Sequence, residues 1–205
     1  MRLLGRLVVL AAVAEVGCWL LATSLRPGSW RYNISDLYAA GAPRPLLVMA
    51  GESAFALGLA ALVLGLHRAL PKTDHRAVGC GLLTLASLGT MASALTRNSC
   101  EESVPRCEGD TFTTAADWVH GVGALMEIFG IAGAAIVLAA VLPRPWSTFS
   151  ATTGGAVLVF LLGWAAVPYP WVGTAERVLA LVLVGWAAAL ATRLAAARPG
   201  FHPAR

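Results

Sequence analysis

Asp117, His120 and Glu127 stand in the stretch AADWVHGVGALME. On a helix, steps of three, four and three residues through Ala124 set them along one stripe. Their types suit acid-base chemistry. An aspartate can accept from one imidazole nitrogen, fix the tautomer, and leave the other nitrogen for a ligand or a proton. The same two residues also have a structural reading, with Asp117 capping the helix and His120 anchoring it at an interface. Glu127 falls about 15 Å further along the helix than Asp117 by helical rise.

Two more carboxylates, Glu15 and Glu52, interrupt apolar runs elsewhere in the chain. A charged carboxylate in hydrocarbon costs at least ~2.5 to 3.5 kcal/mol. Each is therefore expected to face a bundle interior, carry a proton or find a partner, which makes both candidate substrate-binding residues. The segment RYNISDLYAAGAPRP adds Arg31, Ser35 and Asp36, and Glu176-Arg177 opens the last apolar run. Asp36 joins Asp117, His120 and Glu127 as a candidate catalytic residue. Arg31 and Arg177 could hold an anionic head group such as a phosphate, with Ser35 and Glu176 beside them. Equally, Arg177 could pair with Glu176, Asp36 or Asp117 and lock helix ends together.

The elements that must position these residues follow from composition. The chain has 205 residues, of which 58% are hydrophobic and 13% charged, with a mean hydropathy of +0.71. That excludes an ordinary soluble domain and fits an all-α, polytopic membrane helix bundle. A span needs roughly 20 apolar residues, which leaves room for about six. Six apolar runs lie near residues 4–25, 45–66, 77–95, 116–142, 151–167 and 174–196, with prolines at 43, 45, 71, 143, 145, 168 and 170 marking their ends. They make one membrane domain over 1–205. All must be helical, because an unpaired backbone amide in lipid costs several kcal/mol and no barrel-like alternation is present. The first run resembles a signal peptide, yet Glu15 lies within it and no A-x-A site closes it, so it is expected to remain as a helix.

Nine Lys and Arg residues fall on the side of the termini, against six on the other side, which also holds most of the acidic residues. Both termini are therefore expected to be cytoplasmic, in a bacterial inner or plasma membrane. Trp30, Tyr32, Tyr38, Trp118, Tyr169 and Trp171 would form an aromatic belt at the outer boundary. Cys100 and Cys107 sit in an outer loop, where an oxidising compartment would permit a disulfide. The net charge of +4 is scattered rather than clustered, so topology explains it and no nucleic-acid partner is implied.

The pattern R-x-Y-x-x-S-D-L followed by Gly and Pro (Arg31 to Pro43), an acidic residue with D-x-x-x-H-like spacing before the fourth helix (Asp110 or Asp117, then His120), and the pair Glu176-Arg177 resembles the bacterial membrane proteins grouped as domain of unknown function 998. The resemblance covers nearly the whole chain. It implies the fold and the location of a site on the outer side, and no defined activity. The segment carrying the cysteines and the three buried glutamates depart from that family's pattern.

No cofactor is implied. Only His120 is expected on the outer side, so a histidine-bound zinc site lacks ligands. No phosphate-binding or serine-hydrolase motif is present. The leading expectation is an outward-opening pocket that binds or acts on a membrane lipid or isoprenoid, with protonation-driven cyclisation as one form. A proton-coupled transporter using Glu15, Glu52 and Glu127 is the alternative. A third is an accessory subunit that packs against a membrane complex or a second copy of itself.

Overall fold

In a computed structural model, residues 1–101 and 112–196 are described. Six α-helices follow one another: α1 (Arg2–Ser24), α2 (Pro45–Ala69), α3 (Asp74–Leu95), α4 (Ala115–Ala139), α5 (Trp146–Leu162) and α6 (Val172–Ala196). No strand occurs among the described residues. Each expected apolar run is a helix. The largest shift is in α5, which starts at Trp146 rather than 151 because Pro145 occupies its N-cap. It ends before Gly163, where the chain tightens into a 3-10 turn, Trp164–Ala166, ahead of Pro168. The α3 helix starts earlier than expected, at Asp74, because the Thr73 hydroxyl accepts from the Arg76 amide at 3.2 Å and caps it.

Five helices are long and apolar enough to cross a membrane, and α5 is a shorter apolar helix of 17 residues. Their outward surfaces carry exposed leucine, valine and phenylalanine, among them Leu10, Leu57, Leu88, Phe129 and Val159. Water would penalise such a surface, whereas lipid accepts it. Trp30, Trp118 and Trp171 are exposed at one end, as a belt requires, but Tyr38 is buried and takes no part in it.

Successive helices run antiparallel, α1 against α2, α2 against α3, and on through α5, and α6 returns to pack beside α1. Gly5 near the start of α1 lies against Ala191 and Ala195 near the end of α6, so both ends of the bundle's chain lie on one side. The closest approach is between α3 and α4. A Cβ on Gly89 would stand 2.5 Å from the Gly123 carbonyl oxygen, and one on Gly130 would stand 2.7 Å from that of Leu82. Without a hydrophobic drive between helices in lipid, such backbone-close packing supplies the dispersion contacts that hold them. Between α6 and α5, the Trp186 indole donates to the Ser150 hydroxyl at 3.0 Å.

The interior is layered. Toward the chain termini it is filled by apolar side chains, including Val8, Phe55, Leu59, Leu83, Ile131 and Leu138. At the opposite end, Trp19, Ile34, Leu37, Tyr38 and Val48 form a second apolar cluster beneath the connection between α1 and α2, residues 25–44. Along α1 and α2, Glu15 and Glu52 fall between these clusters, and on α4 Glu127 precedes Ile131, the first buried member of the larger cluster on that helix. A polar layer therefore separates the apolar core from the cap.

Gly89→Leu should force α3 and α4 apart and destabilise the bundle by about 1 to 3 kcal/mol. The readout is the thermal midpoint for loss of monodisperse protein in detergent, compared with Gly81→Leu, where the added side chain meets nothing. Equal midpoints would contradict this packing.

Candidate functional site

Thr114 caps α4, and Asp117 completes a capping box with it. The Asp117 carboxylate accepts from the Ser99 amide at 2.6 Å, the Ser99 hydroxyl at 2.9 Å, and the Thr114 amide and hydroxyl, both at 2.8 Å. Thr113 adds a longer bond of 3.3 Å. These donors occupy the carboxylate and tie the end of the α3–α4 connection to α4. His120 is bonded elsewhere, so Asp117 does not fix its tautomer and the expected Asp117–His120 pair does not form.

His120 instead turns its Nδ1 toward the end of α3, 3.1 Å from the Ser93 carbonyl, 3.0 Å from the Thr96 carbonyl and 3.2 Å from the Ser93 hydroxyl. Carbonyl oxygens only accept, so the network assigns the proton to Nδ1 and, in the neutral ring, leaves Nε2 as an acceptor. The imidazole meets the Tyr38 ring edge to face, with centroids 5.5 Å apart. Tyr38 is almost wholly buried, and its hydroxyl donates to Glu52 at 2.9 Å and approaches the Ser93 hydroxyl at 3.5 Å. Burial, with the Glu52 carboxylate beside it, pushes the Tyr38 phenol well above its ordinary range, so it stays a donor. A polar chain thus runs from Glu52 through Tyr38 and Ser93 to His120.

Three helices carry the three glutamates: Glu15 on α1 is within electrostatic reach of Glu127 on α4, and Glu52 on α2 is within reach of both. Thr90 on α3 lies near Glu127, with its hydroxyl donating to the Ala86 carbonyl at 2.9 Å. Glu15 is 6% exposed, and its Oε2 has no hydrogen-bond partner. Among the described residues no ion pair reaches any of the three. Nor does any group of His, Cys, Asp and Glu among those residues gather tightly enough to hold a metal.

Of the two arginines expected to hold an anion, Arg177 does other work. Arg177, 2% exposed, donates to the carbonyls of Tyr32 (2.8 Å), Gly173 (2.7 Å) and Ser29 (3.2 Å) and to the Thr23 hydroxyl (3.1 Å). Its guanidinium lies over the rings of Trp19 and Trp30. Gly173 is required beneath it, since a Cβ there would collide with the carbonyl oxygens of Tyr32 and Trp30. Glu176 accepts from the Ile34 amide, and both Glu176 and the buried Asp36 lie within electrostatic reach of Arg177. These residues clip α6 to the cap, so the locking reading of Arg177 is the one the geometry realises. Asp36 sits at this clip, Ser35 is half-buried beside it, and Arg31 is exposed.

Four residues not singled out by the sequence complete the cap and the chain beneath it. Arg97 donates to the carbonyls of Tyr38 (2.7 Å) and Ala39 (2.6 Å), which sets the depth of the Tyr38 ring. Arg26 pairs with Glu101. Ser93 links Tyr38 to His120. The positions of Arg26 and Arg97 just beyond α1 and α3 were the available signal, and it was absorbed into the topology count. The expected Cys100–Cys107 bridge and the alternative acid Asp110 lie outside the described residues, since 107 and 110 are not among them.

An apolar-faced bundle of six antiparallel helices, with one buried and two half-buried glutamates under a folded cap, defines a multi-spanning membrane protein. Residues 9–193 match the family model described as protein of unknown function (DUF998), and the chain belongs to that family. No curated protein and no solved structure matches it.

Two substitutions test this assignment of roles. Asp117→Ala should cost about 0.5 to 2 kcal/mol as a lost cap. Arg177→Lys should cost more, because an ammonium cannot span four separated acceptors and each buried acceptor left unpaired costs about 1 to 3 kcal/mol. Thermal midpoints in detergent report both, and a wild-type midpoint for Arg177→Lys would contradict the clip.

Proposed function

We propose that this membrane protein takes a lipid-soluble substrate, a lipid or isoprenoid, into the layer between α1, α2 and α4 and exchanges a proton with it there. The observation that carries the reading is the buried, unpartnered Oε2 of Glu15 within electrostatic reach of Glu52 and Glu127, with no ion pair to any of the three among the described residues. A carboxyl group in a dry site can donate or accept a proton without competition from water. Glu52 is the acid-base residue of this scheme. Tyr38 positions it through the 2.9 Å hydrogen bond, and His120 is linked to the pair through Ser93. Protonation-driven cyclisation of an isoprenoid is the most specific chemistry such an acid would serve.

The packed apolar core on the terminal side of the layer favours a site reached from the cap end over a path through the bundle. The polar chain from Glu52 to His120 supports a second reading, proton-coupled transport, in which the same carboxyl groups would carry protons.

Mass-spectrometric profiles of total lipid extracts should separate the wild type from Glu52→Gln and Tyr38→Phe at matched expression. Both variants are expected to show the same gained or lost lipid or terpenoid species. Profiles indistinguishable from wild type in both would contradict the proposal.

A further inference from the structure

We propose that the layer of Glu15, Glu52 and Glu127 binds the positively charged head of a lipid-soluble amine, a protonated or quaternary ammonium on an apolar body. The proposal rests on the reading of this layer as a ligand site and fixes the sign of the charge that the ligand brings. Three carboxyl groups from separate helices are within electrostatic reach of one another, with no ion pair to any of them among the described residues. The Oε2 of Glu15 is buried without a hydrogen-bond partner. An oxygen left so in a low-dielectric interior costs free energy that a cation or donor would recover.

The chemistry of the cation follows from spacing and surroundings. A metal ion draws its oxygen ligands to within about 2.0 to 2.6 Å of itself, and these carboxylates are not gathered closely enough for that. A substituted ammonium is larger, spreads its charge over its carbons, and meets both carboxylates and aromatic faces favourably. Tyr38 directs its hydroxyl onto Glu52 at 2.9 Å and so borders the layer. An anionic head group is disfavoured here, because the terminal nitrogens of Arg177 donate to the cap, Arg97 donates to the Tyr38 and Ala39 carbonyls, and Arg26 pairs with Glu101. A substrate that accepts a proton in the layer acquires the same positive charge, so one site serves both readings.

Calorimetric titration of the purified full chain in non-ionic detergent with octyltrimethylammonium, and with octylsulfonate of the same chain length, tests the sign of the site. The wild type should bind the ammonium saturably at one site per chain and leave the sulfonate unbound. Glu15→Gln and Glu127→Gln should each weaken ammonium binding at least tenfold, while Asp74→Asn, exposed at the opposite end of the bundle, should match the wild type. Gel filtration verifies the fold of each variant, and if one glutamine variant fails to fold, the other together with Glu52→Gln decides. Unsaturable partitioning, equal affinity in all variants, or preferential binding of the sulfonate would overturn the proposal. Altered lipid profiles without ammonium binding would discard the amine and keep proton exchange. Ammonium binding with unaltered profiles would do the reverse.

Discussion

A carboxylate in hydrocarbon is tolerated only if it is protonated, solvated or paired, and this bundle gathers three of them in one layer. Their placement depends on the helices around them. Gly51 lets α2 approach α1 at the level of Glu15, where an added Cβ would stand 3.2 Å from the Glu15 Cα. Gly89 does the same for α3 opposite Glu127, with the added Cβ 3.1 Å from the Glu127 amide nitrogen. Small residues thus bring the backbones that carry two of the glutamates close to their neighbours, and the third, Glu52, is held by a tyrosine from the cap.

The cap explains why so many charged groups at this end are unavailable for a ligand. Its backbone runs over the helix ends without regular secondary structure beyond two 3-10 turns, Ser29–Arg31 and Ser35–Leu37, so its carbonyls need donors from elsewhere. Arg177 and Arg97 provide them from α6 and from the end of α3, and Glu176 answers the Ile34 amide. Arginines and carboxylates, Arg177 with Glu176 and Asp36 and Arg26 with Glu101, together organise the cap, while Glu15, Glu52 and Glu127 lie beneath it with no ion pair among the described residues.

Much of the fold was legible from composition and proline placement, because lipid permits only helices or closed barrels and the apolar runs have helical length. The ends of α5 differ from the apolar run 151–167 because the helix starts directly after Pro145 and stops at Leu162, before Gly163. Within the site, Asp117 and His120 are buried and Glu127 is half-buried on α4, and the expected pairing of Asp117 with His120 does not form. Sequence spacing places Asp117 one turn from His120, but the amide and hydroxyl of Ser99 and of Thr114 compete for the carboxylate and win. Tyr38 read as an interfacial aromatic, because nothing in the sequence discloses that the loop folds inward over α2 and α3. That Glu15 and Glu127, far apart in the chain, come within electrostatic reach follows from the three-dimensional arrangement of α1 and α4.

The account stands or falls on whether the three glutamate positions face one space. Paired cysteine cross-linking measures this directly: Glu15→Cys with Glu52→Cys, Glu15→Cys with Glu127→Cys, and Glu52→Cys with Glu127→Cys, each in a chain whose native cysteines are replaced. Treated in membranes with a short bifunctional thiol reagent, all three pairs should form intramolecular links, read by mass spectrometry. Failure of both pairs that include Glu127→Cys, with the Glu15→Cys and Glu52→Cys pair linking normally, would place α4's glutamate elsewhere and contradict the shared layer.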